Sequence, residues 1–79
     1  MRIDVLCFGA FKDYLPDDAD GNRGSLEVPG GSTVGHVVDA LGAPRALVFG
    51  VLVDGQQAPL DSEIHEGAEI TLMPPYSGG

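Results

Sequence analysis

The chain is short and strongly acidic: it has 79 residues, 43% of them hydrophobic, and twelve acidic against four basic side chains make a formal net charge of −8. A domain of this size covers only about 60 to 65% of the surface that its unfolded chain exposes, which leaves little room for an enclosed active site. The negative charge disfavours nucleic-acid phosphates and anionic membranes and favours a basic protein partner, although acidity can also serve solubility alone.

The first predicted element is a strand from Arg2 to Phe8, whose residues alternate between two faces. The core-facing set comprises Ile3, Val5 and Cys7, and the opposite set comprises Asp4, Leu6 and Phe8. The single cysteine of the chain is therefore predicted to be an inert core residue. Residues 10–15 can form a helical turn, and residues 25–28 form a short second strand that ends at the turn 29–31.

One convincing helix is predicted after this turn. Ser32 or Thr33 can cap it, because a short hydroxyl side chain accepts a hydrogen bond from a free amide of the first turn. An apolar stripe at i, i+3, i+4 and i+7 comprises Val34, Val37, Val38 and Leu41. Gly42 is predicted to end the helix, and Pro44 prevents it from resuming.

Three further strands are predicted in the second half of the chain. A continuous apolar run over residues 47–53 forms the third strand, and Asp54-Gly55 is a tight hairpin signal that leads into a short strand at 56–58. The last strand runs from Glu69 to Met73, with Ile70 and Leu72 inward and Glu69, Thr71 and Met73 outward. These elements predict an α+β fold in which a mixed sheet of four to five strands packs against one main helix.

The sequence ends with a segment of unusual composition, Pro74-Pro75-Tyr76-Ser77-Gly78-Gly79. Two prolines cannot donate to a sheet, so they end the last strand, and two glycines leave the final backbone without side chains. We therefore expect a globular domain over residues 1–73 and a flexible tail over 74–79. Such a tail can deliver a terminal carboxylate into the active site of another protein, although frayed ends also occur without function.

A candidate docking surface lies beside the expected root of this tail. If the first and last strands are neighbours, Phe8 and Met73 stand together on the uncovered face of the sheet, with Leu6 on the same face. Contiguous exposed aromatic and methionine side chains are typical of docking patches, whereas a lone outward Phe is common on any surface. We predict that Phe8, Met73 and Leu6 contact a partner protein.

Several segments together resemble the ubiquitin-like sulfur carriers of the MoaD/ThiS family. They are the opening Val5-Leu6-Cys7-Phe8, the passage from Leu26 to Val34, the Val51-Leu-Val-Asp-Gly55 hairpin, and the ending from Glu66 to Gly79. The resemblance covers essentially the whole chain. Its last strand, followed by Pro-Pro and Gly-Gly, is most similar to the small subunit of molybdopterin synthase.

The resemblance implies a β-grasp (ubiquitin-like) fold and a sulfur carrier that is not itself an enzyme. Gly79 matches the carrier residue, which a separate activating enzyme adenylates with ATP and which is then converted to a thiocarboxylate, a 1-thioglycine. The implied partners are this activating enzyme, a sulfur-donating enzyme, and a large synthase subunit that forms a heterotetramer with the chain in molybdenum cofactor biosynthesis. No bound cofactor or metal is implied. The chain departs from the family pattern at two places. A third docking position, which is apolar in the family, falls near Gln57 and is polar here. The connection from the helix to the third strand, residues 42–47, is shorter than in many synthase subunits.

Alternatives to the molybdopterin assignment stay open at this point. The sulfur acceptor can belong to the thiamine thiazole pathway, to cysteine synthesis or to another thio-metabolite. The chain can also be a ubiquitin-like modifier that is joined to lysines through Gly79, or a plain interaction domain. The sequence has no apolar run of about 18 residues, no signal peptide and only one cysteine, which predicts a cytoplasmic protein. Its net charge of −8 predicts that it binds neither nucleic acid nor membrane.

Overall fold

The computed structural model describes residues 1–15, 20–48 and 50–73 of the chain. Their main element is a five-stranded sheet in the order β2-β1-β5-β3-β4. The strands are β1 (Arg2–Cys7), β2 (Arg23–Glu27), β3 (Gly50–Val53), β4 (Gln56–Gln57) and β5 (Glu69–Met73). β1 and β5 run parallel, and the other neighbouring pairs are antiparallel. The first and last strands are therefore neighbours at the middle of the sheet, as the predicted docking surface requires.

One α-helix, α1 (Val34–Leu41), packs on one face of this sheet. The Thr33 hydroxyl accepts a hydrogen bond from the backbone N–H of His36 (3.3 Å), and Nδ1 of His36 accepts one from the backbone N–H of Thr33 (3.0 Å). Gly42 ends the helix in the left-handed conformation, with a φ angle of 79°. The predicted helix is thus confirmed, with Thr33 as its cap. No helix within the described ranges is long and apolar enough to cross a bilayer.

The core lies between the sheet and α1, and the periodic apolar residues of the strands and the helix predicted most of its members. The sheet contributes Ile3, Val5, Cys7, Val51, Ile70 and Leu72, and the helix contributes Val34, Val37 and Val38, all between 0 and 3% exposed. Phe11, from a 3-10 helix over Gly9–Tyr14, is buried against them. Leu41, which the helical stripe assigned to the core, is only partly buried. The inward sets predicted for the first and last strands are confirmed.

Strand boundaries differ from the predicted ones. β1 ends at Cys7, one residue earlier than predicted, and β2 is displaced towards the N-terminus of its predicted span. The third strand begins only at Gly50, because Arg45–Leu47 forms a 3-10 helix and the Val48 N–H donates to the Arg45 carbonyl (3.1 Å). An apolar run without alternation does not distinguish a strand from a tight helical turn.

The turn between β3 and β4 is tied to β5 by the Asp54 side chain. Asp54 and Gly55 both have positive φ angles, 52° and 85°, as the two-residue hairpin turn predicted from Asp-Gly requires. The Asp54 carboxylate accepts a hydrogen bond from the backbone N–H of Glu69 (2.9 Å), the first residue of β5. Its other oxygen lies 2.7 Å from Nε2 of His65.

The surroundings of His65 favour its protonated form. Nδ1 lies 2.9 Å from the Glu66 carbonyl oxygen and Nε2 faces the Asp54 carboxylate, so both ring nitrogens can donate only when the ring is charged. The Glu66 carbonyl, and after it the Asp54 carboxylate, raise the pKa of His65 above its ordinary value. The Glu69 backbone N–H, and after it His65, lower the pKa of Asp54.

We expect His65→Gln to lower the thermal unfolding midpoint most in the window between about pH 4 and 6.5. Because its pKa is raised on folding, His65 contributes its stability below its unfolded-state pKa and loses it as the pH rises through the folded-state pKa. Because its pKa is lowered on folding, Asp54 contributes above its unfolded-state pKa and loses its contribution as the pH falls through the folded-state pKa. Thermal melting curves of the wild type and of His65→Gln, recorded inside and outside this pH range, measure the difference between their unfolding midpoints.

The Asp54→Asn background provides the control for this prediction, because Asn also tolerates the positive φ angle of the turn. There the effect of His65→Gln should depend less on pH. An equal pH dependence in both backgrounds would show that the pairing with Asp54 is not its cause.

Candidate functional site

β5 is the central strand of the sheet, flanked by β1 on one side and β3 on the other. The predicted tail follows its last residue, Met73. The tail residues lie outside the described residues and comprise the carrier residue Gly79 together with Gly78, Ser77, Tyr76, Pro75 and Pro74. Their roles, and the division into 1–73 and 74–79, stay predictions. What the structure describes is Met73, the C-terminal end of a strand that is paired on both sides.

The outer face of the sheet, which α1 does not cover, is apolar beside Met73. The parallel register pairs Leu6 with Thr71, so Phe8 and Met73 follow two positions further along neighbouring strands. Both side chains are 43% exposed, and they are the exposed large hydrophobic residues of the described part of the chain. Leu6 is half-buried on the same face. The three residues predicted as partner contacts therefore lie on one open surface, and their docking role stays a prediction.

β3 extends this surface with residues that sequence reasoning missed. Leu52 pairs with Thr71, and Gly50 pairs with Met73. Residues paired across strands share a face, so Leu52 and Gly50 lie on the outer face. Thr71, between Leu6 and Leu52, is only 9% exposed although it belongs to the outward set. We call the surface formed by Leu6, Phe8, Leu52 and Met73 the apolar half of the outer face.

The other half of the outer face is polar and centres on Arg23. The guanidinium donates from Nη1 to Oδ2 of Asp4 (3.2 Å) and from Nη2 to Oε2 of Glu69 (2.9 Å). The Ser25 hydroxyl donates to Oδ1 of Asp4 (3.3 Å). These ion pairs are exposed and contribute little to stability. With two carboxylates against one guanidinium, this half carries a net negative charge and contrasts with the apolar half beside Met73.

An open groove of about 450 Å³ follows the edge of the sheet beside the apolar half. Its lining residues include Gly50, Gln57, Pro59 and Leu60. Gln57 pairs with Leu52 and is exposed, so this polar residue lies at the rim of the apolar half. The candidate site is thus an open surface with an adjoining groove.

Cys7 is the only thiol of the chain and is fully buried in β1. Desolvation by this burial raises the pKa of Cys7 to about 11. The thiol is therefore protonated at neutral pH, whereas the thiolate is the reactive form of cysteine. The predicted core position of Cys7 is confirmed, and its raised pKa disfavours the reactive thiolate.

Comparison with known proteins gives one family and a group of similar structures. The family described as Mut7-C ubiquitin matches residues 1–77. The structure of SAMP1, small archaeal modifier protein 1 of Haloferax volcanii, is 29% identical, with a TM-score of 0.73 and all of both chains covered. A second structure of that protein is 27% identical, with a TM-score of 0.72, and covers 95% of this chain and 98% of its own. No curated protein sequence matches the chain.

Two structures with molybdopterin-related names share the fold at lower identity. The putative molybdopterin converting factor subunit 1 of Pyrococcus furiosus is 17% identical, with a TM-score of 0.69, and covers 95% of this chain and 98% of its own. A complex of subunits 1 and 2 of the molybdopterin-converting factor from Helicobacter pylori is 19% identical, with a TM-score of 0.62 and all of both chains covered. The predicted β-grasp fold is confirmed, as is the resemblance to MoaD-like ubiquitin-like proteins.

Proposed function

The chain belongs to the Mut7-C ubiquitin family, and on this premise we propose that it is a sulfur carrier whose working group is the carboxylate of Gly79. The observation that carries the proposal is the position of the apolar half of the outer face. It includes Met73, the residue that residues 74–79 follow in the sequence. A partner that covers Phe8 and Met73 has the tail within reach, because six extended residues span roughly 20 Å.

The proposed chemistry consists of two steps at Gly79. In the activating enzyme, a carboxylate oxygen of Gly79 attacks the α-phosphate of ATP, which forms an acyl adenylate and releases pyrophosphate. A sulfide-level sulfur from a sulfur-donating enzyme then attacks the carbonyl carbon and expels AMP, which leaves the thiocarboxylate, 1-thioglycine. The first step is required because a carboxylate is a poor electrophile until its oxygen leaves as part of a phosphate.

The partner enzymes supply the catalytic groups in this proposal. The outer face is open, whereas small-molecule sites enclose most of their ligand in a cleft. The one thiol of the chain, Cys7, is buried and protonated. The chain contributes the terminal carboxylate and the surface by which it is held. ATP and sulfur are used while the chain is bound to its partner enzymes. We place these steps in the cytoplasm.

We propose that the transferred sulfur is used to form the dithiolene of molybdopterin, with the chain as the small subunit of a synthase heterotetramer. The likeness to a structure in which subunit 1 is complexed with subunit 2 supports a large-subunit partner. The apolar half of the outer face would contact this partner while Gly79 enters its active site. Acceptors in thiamine thiazole, cysteine or other thio-metabolite synthesis remain alternatives, and the identity of the copurifying large subunit distinguishes them.

A second candidate function is protein modification. The similar structures with the name modifier protein are 27 and 29% identical to this chain, against 17 and 19% for the molybdopterin-related ones. As a modifier, the chain would also be adenylated at Gly79. A lysine Nζ of a target protein would then attack the carbonyl carbon, expel AMP and form an isopeptide bond. Adenylation is thus common to both functions.

Intact mass spectrometry of the protein from its own cells tests these functions. A sulfur carrier should show a fraction in which one oxygen is exchanged for one sulfur, located at Gly79 by fragmentation. A modifier should instead show Gly79 joined to lysines of other proteins, in adducts that vanish when Gly79 is deleted. Neither product, or a mature chain that continues past Gly79, would refute the proposal.

A further inference from the structure

The two halves of the outer face lie at opposite ends of β5. Glu69 is the first residue of this strand and Met73 is the last, so about 13 Å separate them at about 3.3 Å per residue. The parallel register places Asp4 beside Glu69, and we call these two residues the carboxylate pair. The face is therefore apolar at the end of β5 that residues 74–79 follow in the sequence, and acidic at the other end.

Arg23 leaves the carboxylate pair with an excess of negative charge, because one guanidinium serves two carboxylates. The pair is also accessible: the side chains of Asp4 and Glu69 are 44 and 40% exposed. Oε2 of Glu69 accepts a hydrogen bond from Arg23, whereas Oε1 has no donor within the part of the chain that the structure describes. A carboxylate can accept several hydrogen bonds, so a second cationic side chain can reach the pair while Arg23 stays in place.

The groups around the carboxylate pair do not reverse its charge. On one side, the Glu66 carboxylate accepts a hydrogen bond from the backbone N–H of Arg2 (2.9 Å). On the other side, the Asp54 carboxylate accepts one from the backbone N–H of Glu69 and faces His65. The charges of Arg2 and of protonated His65 offset these two carboxylates at most. The acidic end therefore favours a partner surface of positive potential over one of negative potential.

We propose that the protein that covers the apolar half places an Arg or Lys side chain against the carboxylate pair. The inference rests on the proposed function, and the occupant is the large subunit, which the likeness to a complex of subunits 1 and 2 supports. Apolar contacts are not directional, so the apolar half alone does not fix how the partner is turned. A cation at the other end of β5 does, since a turned partner would bury its cation against Phe8 and Met73.

Neutralising the carboxylate pair tests the proposal, because a purely apolar contact would not respond to it. The association rate constant of each variant is measured by stopped flow with the purified large subunit of the same organism. At low ionic strength we expect a decrease of about threefold for Glu69→Gln and about tenfold for the double variant Asp4→Asn, Glu69→Gln, because rim charges act mainly on association. High salt should reduce both differences, since it screens exposed charges.

Arg23→Gln distinguishes a cationic partner surface from an anionic one. Removing the guanidinium makes the acidic end more negative, so association with a cationic surface should become about twofold faster at low ionic strength. The matched control for the double variant is Asp61→Asn, Glu63→Gln. Both residues are exposed beside the N-terminus of α1, on the helix side of the sheet. The control removes the same charge and should change the rate constant by less than about twofold at physiological salt.

Unchanged rate constants for Glu69→Gln and for the double variant overturn the inference and leave docking of the apolar half intact. Equal slowing by the control variant also overturns it, because total charge would then be the cause. Slower association of Arg23→Gln does the same, since it indicates an anionic partner surface. If the wild-type chain does not bind the large subunit, the proposed synthase role is refuted, and the inference falls with it. Thermal melting of each variant should give an unfolding midpoint close to that of the wild type, because the ion pairs are exposed.

Discussion

Adding one alanine after Gly79 is expected to abolish ATP–pyrophosphate exchange and thiocarboxylate formation while leaving the thermal unfolding midpoint unchanged. The extra residue displaces the terminal carboxylate by about 3.6 Å. Since a misplacement of about 1 Å at reacting atoms can cost about 100-fold in rate, we expect a loss of at least about 100-fold. Stability should not change, because the core described here is built from residues between Ile3 and Leu72.

Ser77→Ala is the matched control for the extended chain. It alters the same tail but keeps the carboxylate on Gly79, so exchange should persist. Undiminished thiocarboxylate formation by the extended chain would refute the carrier mechanism. A loss in both variants would mean that the enzyme reads the tail side chains and not only the position of its end.

Replacing Phe8 or Met73 by Asp should weaken binding of the activating enzyme and of the large subunit. The loss of a central anchor of a protein interface costs about 2 kcal/mol or more, which corresponds to about 30-fold or more in Kd. The new carboxylate would also be buried without a partner when the complex forms. Both side chains are 43% exposed in the free chain, so part of their apolar contacts is lost as well, and we expect the free energy of unfolding to fall by about 1 kcal/mol.

Ala40→Asp separates the effect of location from that of charge. Ala40 is exposed on α1, on the side of the sheet opposite the outer face. Ala40→Asp adds the same charge as Phe8→Asp, and the Kd of this variant for each partner should stay close to that of the wild type. Calorimetric titration of each variant with the purified partner measures these constants. Equal affinities for Phe8→Asp and the wild type would remove the apolar half from the interface.

Part of the candidate site could be predicted because it depends on local periodicity. Alternation in the first and last strands was enough to assign Phe8, Leu6 and Met73 to one face. Leu52 and Gly50 were missed because they lie in a continuous apolar run, in which every residue looks equally suited to the core. The same run hid the 3-10 helix at Arg45–Leu47, which delays the start of β3.

The sequence by itself determined the features that depend on the backbone within a few residues. Thr33 and Gly42 set the ends of α1, Asp54-Gly55 set the hairpin turn, and alternation set the inward residues of β1 and β5. These signals act over one turn or two residues, so no distant contact is needed to interpret them.

Only the tertiary structure decided which strands are neighbours. The pairing of β1 with β5 joins residues at opposite ends of the chain, and it brings Phe8 beside Met73. The pairing of β3 with β5 places Gly50 next to Met73 and buries Thr71 between Leu6 and Leu52. Strand pairing at such separations depends on how the whole core closes, and no segment of the sequence specifies it alone. The surface that we propose for docking therefore exists only once the first and last strands have paired.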